Sequence, residues 1–121
     1  MTWALFQAIT LLAQLGMMDL PRVELADRPP TSERGRTTQA FVRWTEDDRT
    51  VYVLTTSRAY RTAVRGDVRP LAALIAHERV HLLNGPNERP AYDEQLRVLR
   101  VLRVGRSWIQ RAEEARSQES R

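Results

Sequence analysis

The chain opens on an apolar segment that carries no charge. From Met1 to Met18 the apolar positions are Trp3, Ala4, Leu5, Phe6, Ala8, Ile9, Leu11, Leu12, Ala13, Leu15, Met17 and Met18. This density predicts a helix, and Gly16 and Pro21 predict its end. Between Leu20 and Arg36 the periodicity dissolves, and Pro21, Pro29, Pro30 and Gly35 predict an extended connector. Two short strand-like runs follow. Gln39 to Thr45 carries Phe41, Val42 and Trp44, and Thr50 to Thr56 carries Val51, Tyr52, Val53 and Leu54. The polar stretch Glu46-Asp47-Asp48-Arg49 between them predicts a β-hairpin loop.

The second half changes to helical spacing. Ser57 predicts an N-cap for a short helix through Val64, which Gly66 ends. Asp67 predicts the cap of the next helix, with Pro70 tolerated in its first turn. That helix is apolar on nearly every face, from Leu71-Ala72-Ala73-Leu74-Ile75-Ala76 to Leu82-Leu83, as expected of a central buried helix. Asn84-Gly85-Pro86-Asn87 predicts its stop, with Gly85 left-handed past the end. Asn87 then caps a further helix starting near Glu88 or Pro90. Its apolar positions Ala91, Leu96, Val98, Leu99, Val101, Leu102 and Val104 carry it toward Ile109. Arg111 to Arg121 is polar and predicts a fraying helical tail. The organisation expected is an apolar helix over 1–20, a connector over 21–37, an α+β domain over 38–110 and a charged tail over 111–121.

Composition narrows this picture only in places. A length of 121 residues suits one domain. All 19 basic residues are arginine, against 15 acidic ones, for a net charge of +4. The arginines are interleaved with acids rather than gathered in a block, which argues against nucleic acid as partner. Arg97, Arg100, Arg103 and Arg106, at i, i+3 spacing, make the one stripe that would favour a binding role. The N-terminal segment lacks the basic region of a secretory signal, which tips the balance toward the cytoplasm. A membrane contact could come only through that segment, as a signal or anchor remnant. Without cysteine, any metal must be held by histidine and carboxylate.

The candidate chemistry lies in His77-Glu78-Arg79-Val80-His81, which holds both histidines of the chain. Residues i and i+4 project from one helix face, so both imidazoles can hold one Zn²⁺. Glu78 can take a proton from a zinc-activated water. A third ligand must be a carboxylate, and the downstream candidates are Glu88, Asp93, Glu94, Glu113 and Glu114. The turn at Asn84 to Asn87 folds the next helix back beside the motif. That places Glu88 opposite the histidines, sharing a face with Ala91, Tyr92 and Gln95, and leaves Glu94 as the second choice. Tyr92, Tyr60 and Tyr52 are the phenols available to stabilise an oxyanion, with Tyr92 nearest in sequence.

The pentapeptide followed by Glu88, Ala91 and Tyr92 resembles the gluzincin group of zinc metallopeptidases. It is similar in particular to minimal forms in which E-x-x-A-Y-x-x-Q closely follows the histidine helix. The likeness covers roughly Leu71 to Leu102. It implies a zincin-like minimal domain, with a hairpin on a central HExxH helix and a following ligand helix. It also implies zinc held by His77, His81 and Glu88, with Glu78 as general base, acting on a peptide or protein substrate. The substrate would add to an edge strand of the hairpin, at Val51, Tyr52, Val53 and Leu54. The alternatives are a zinc-binding or interaction module without turnover on the same scaffold, and histidines that merely pack in a core.

Overall fold

The computed structural model of the protein describes residues 2–29, 39–45 and 48–119. The uncharged N-terminal run folds as helix α1 (Trp3–Gln14), started by Thr2, whose side chain accepts the Leu5 amide at 3.3 Å. It stops where Gly16 turns left-handed at φ 89°, so that the Gly16 and Met17 amides close on the Ala13 and Leu12 carbonyls. Ala4, Leu5, Ala8 and Leu12 are buried, whereas Trp3 and Phe6 stack on each other in solvent at 5.5 Å. Among the described residues no helix is long and apolar enough to cross a membrane.

The stretch expected as a connector contains a strand, β1 (Arg22–Ala26). Residues 30–37 of that connector, with Glu46 and Asp47 of the expected loop, lie outside the described residues. The predicted hairpin is present as β2 (Ala40–Trp44) and β3 (Arg49–Leu54), paired antiparallel. β1 pairs in parallel with β3, so the sheet order is β1-β3-β2. Val23 and Leu25 stand opposite Val51 and Val53, which face Val42 and Ala40 in turn. Since side chains alternate across a strand, this set forms one apolar face. Val51 and Val53 are wholly buried in it.

This topology corrects one expectation about the substrate edge. β3, with Val51, Tyr52, Val53 and Leu54, is the central strand, and its edges are taken by β1 and β2. Of the two strands that α3 (Arg69–Asn84) packs against, β2 and β3, only β2 has an outer edge. Thr45 and Asp48 exchange both backbone hydrogen bonds, at 2.8 and 3.4 Å. Antiparallel alternation then directs the amides and carbonyls of Phe41 and Arg43 toward β3, and those of Ala40 and Val42 off the outer edge. No other strand pairs there among the described residues.

Helix α2 (Arg58–Val64) begins at Ser57, whose hydroxyl accepts the Tyr60 amide at 3.1 Å, and it closes at Gly66. α3 buries every residue from Pro70 to Glu78. Ala72, Ala73 and Ala76 have no exposed surface, and such small side chains let neighbouring elements approach the helix closely. Sheet, α1, α2 and α4 (Glu88–Val101) all pack on it. Ile75 sits at the centre of this core with no exposed surface. Ile75→Ala is therefore expected to lower unfolding free energy by about 2–5 kcal/mol, measurable by urea titration.

Asp67 acts one position further out than expected. The first residue before α3 is Val68, yet Asp67 Oδ1 still accepts the Arg69 amide at 3.2 Å. Both Asp67 oxygens also grip the Arg69 guanidinium, at 2.8 and 2.9 Å. Arg69 Nη1 in turn donates to the carbonyls of Leu102 and Arg103, each at 3.2 Å, at the end of α4. The Arg69 side chain thus holds Asp67 below the usual carboxylate range, against a smaller upward push from burial. Its contribution to stability is present above the unfolded value near 3.9 and fades as pH falls through the lower folded value. Denaturation midpoints should accordingly drop less on acidification below pH 4 in Asp67→Asn than in the native chain.

The last helix of the pattern is two helices. α4 stops at Val101, and α5 spans Arg106–Glu119. Arg103 takes the left-handed position at φ 57°, and the amides of Arg103 and Val104 bond back to Arg100 and Leu99. Residues 111–119 of the tail expected to fray therefore dock along α4, and 120–121 lie outside the described residues. Ala112 is buried, Arg100 pairs with Glu113, and Arg116 with Asp93. The arginine stripe does not form one helix face, because Arg103 and Arg106 fall beyond α4.

Candidate metal centre

α3 carries His77 and His81 one turn apart, and Gly85 reverses the chain only four residues later at φ 91°, ψ −166°. A side chain at Gly85 would meet no neighbour, but this backbone geometry is accessible to glycine alone. Asn87 then accepts the Arg89 amide at 3.1 Å and starts α4. Glu88 is the first residue of α4 and faces back across the turn.

The Glu88 carboxylate reaches both rings. Its Oε1 lies 3.1 Å from His77 Nε2 and is also paired with His81 Nε2. The other ring nitrogens are engaged as well. His77 Nδ1 lies 2.8 Å from Gln95 Oε1, and His81 Nδ1 lies 3.0 Å from the Gly85 carbonyl oxygen. Carbonyl oxygens accept, so each Nδ1 carries the hydrogen. Both Nε2 atoms are turned to the same spot, at the Glu88 carboxylate. Tyr92 completes the clasp, its ring edge-on to His77 at 4.5 Å between centroids.

Glu78 is next in sequence and buried, with 7% exposure. A carboxylate oxygen of Glu78 and one nitrogen from each histidine all lie within 4.8 Å of one another. His77 and His81 side chains are 5% and 12% exposed, against 36% for Glu88. The centre is thus dry at its histidine end and open at its carboxylate end.

Electrostatics follow from this packing. A neutral His81 with hydrogen on Nδ1 would set the Nε2 lone pair against a carboxylate, so the pair calls for a cation between them. Burial opposes a proton on His81, but Glu88, the Gly85 carbonyl and Glu78 outweigh it and push its pKa up to about 9. Hydrogen bonds from His77 and His81 pull Glu88 down to about 2, against its burial. Burial and then the Glu88 charge push Tyr92 up to about 12, so its phenol stays protonated. Two ring nitrogens, each ring held from behind at Nδ1, and one carboxylate meet at one place, a donor set suited to a divalent metal once the ring proton is displaced.

The other candidates lie elsewhere. Glu94, the second choice for third ligand, pairs with Arg97, Asp93 with Arg116, and Glu113 with Arg100. Tyr52 lies on the opposite sheet face from Val51 and Val53, stacked with Phe41 at 5.1 Å beneath Arg43. Tyr60 packs on the core from α2. Gln95, placed by its spacing on the face of Glu88 and Tyr92 but given no role there, bonds to His77. Its signal was its shared face with Glu88 and Tyr92, at i+7 and i+3. Comparison of the chain with protein-family models, with curated proteins and with solved structures finds no match in any of the three, so its function is read from the site.

Proposed function

We propose that the protein is a zinc-dependent hydrolase of peptide or amide bonds, a minimal domain of gluzincin type. The observation that carries this reading is the convergence of His77 Nε2, His81 Nε2 and the Glu88 carboxylate beside Glu78. His77, His81 and Glu88 would hold the ion. Zinc, when bound, supplies a Lewis acid that polarises a carbonyl and acidifies a water molecule. Glu78 takes the proton of the attacking water on its carboxylate and passes it to the departing amine. Tyr92, whose ring packs against His77 and whose phenol stays protonated, would donate to the developing oxyanion.

The substrate enters as an extended strand along the outer edge of β2, where the Ala40 and Val42 backbone groups point outward. This replaces the edge first expected at β3. The test is metal content together with activity. Protein prepared with zinc available should hold one equivalent and hydrolyse members of a peptide library. A chelator should abolish hydrolysis, and added zinc should restore it. Failure to take up stoichiometric zinc would remove this reading.

A further inference from the structure

We propose that Gln95 is the positioning residue that decides whether His77 can act as a ligand, by holding it in the Nδ1–H tautomer. Its bearing on the metal rests on the zinc reading above, whereas the tautomer itself does not. His77 is 4% exposed, so the partners of its ring come from the protein rather than from bulk water. Three side chains of α4 supply them. Glu88 reaches Nε2 at 3.1 Å, Gln95 reaches Nδ1 at 2.8 Å, and Tyr92 closes on the ring at 4.5 Å. They lie at positions 88, 92 and 95, one stripe of a helix.

The two histidines are oriented by different means. His81 is set by the Gly85 carbonyl, a backbone acceptor that cannot donate. His77 is set by a side-chain amide, which has an accepting and a donating end. With Oε1 toward Nδ1, as here, the hydrogen sits on Nδ1, so the neutral ring keeps its lone pair on Nε2. The reversed amide would donate to Nδ1, move the hydrogen to Nε2 and block the ligand atom. An amide also lacks the charge of the carboxylates that often back a zinc-bound histidine, so it orients the ring without raising its basicity as far.

The experiment uses the full chain with Gln95→Leu, which keeps bulk but not the acceptor, and Gln95→Glu, which keeps the acceptor. Zinc affinity, read by competition with a chromophoric chelator, should fall about 10–100-fold in Gln95→Leu and return in Gln95→Glu. Urea midpoints of both variants separate this loss from unfolding. The tautomer is read independently in metal-free Glu88→Ala protein, by ¹⁵N spectra of histidine at a pH where the rings are neutral. There His77 should carry its hydrogen on Nδ1, the form free histidine disfavours, and Gln95→Leu in that background should return it toward Nε2–H. Zinc binding by folded Gln95→Leu as tight as the native chain, or His77 found as Nε2–H in Glu88→Ala, overturns the assignment. A native chain that binds no zinc while His77 stays Nδ1–H supports it and removes the zinc reading instead.

Discussion

Glu78→Gln should bind zinc as tightly as the native chain and lose hydrolysis by about 10²–10⁴-fold in kcat, the span of general acid–base catalysis. The substitution keeps shape and hydrogen-bonding capacity but cannot hold the transferred proton. Glu88 is the carboxylate hydrogen-bonded at the two Nε2 atoms, whereas Glu78 lies within 4.8 Å of a nitrogen of each ring, as the proposed base beside the ligands. Affinity and turnover should therefore separate, with KM little changed. Isothermal titration with zinc and steady-state hydrolysis of one peptide measure the two. Hydrolysis retained in full by Glu78→Gln would remove Glu78 as base, and a collapse of zinc binding would make it a ligand instead.

The second large effect is expected at Glu88. If Glu88 is the third ligand, as proposed, Glu88→Ala should weaken zinc by more than the 10–100-fold that loss of an outer partner costs. It should also change the proton count. With His81 raised to about 9 and Glu88 lowered to about 2, the metal-free pair holds a proton at neutral pH that zinc must displace. Zinc affinity of the native chain should thus rise with pH up to about 9 and flatten above it. In Glu88→Ala the His81 proton loses its main partner, so the rise should flatten at lower pH and fewer protons should be released. Titration in buffers of different ionisation enthalpy counts them. Equal affinity and equal proton release in the variant would move the third ligand away from Glu88.

Local signals announced most elements of this fold, and the misses have physical causes. Ser57, Gly66, Gly85 and Asn87 mark helix ends in the structure because each acts within its own turn. β1 escaped notice because Arg-Val-Glu-Leu-Ala offers only two strongly apolar positions between Pro21 and Pro29, and its pairing partner lies far along the chain. The end of α4 was hidden because its left-handed residue is Arg103 rather than glycine. Leu102 and Arg103 are instead held by Arg69 from another helix, which no local pattern reports. The same distinction runs through the candidate site. The placement of Glu88 beside the histidines follows from a short turn, and helical spacing alone leads to it. The role of Gln95 depends on which ring nitrogen meets which amide atom, and that is settled only when α3 and α4 pack.

The α3–α4 hairpin has a consequence for how the centre comes together. His77, His81, Gly85, Glu88, Tyr92 and Gln95 all belong to one run of chain, with Gly85 as the only reversal between them. The entropy of closing a loop grows with its length, so gathering these groups restricts the chain far less than recruiting ligands from distant segments would. The centre is in that sense a cassette. The groups that meet there belong to the hairpin, while the sheet, α1 and α2 pack on α3 and hold that helix in place. Substitutions in those supporting elements are therefore expected to change stability more than the arrangement of the six groups.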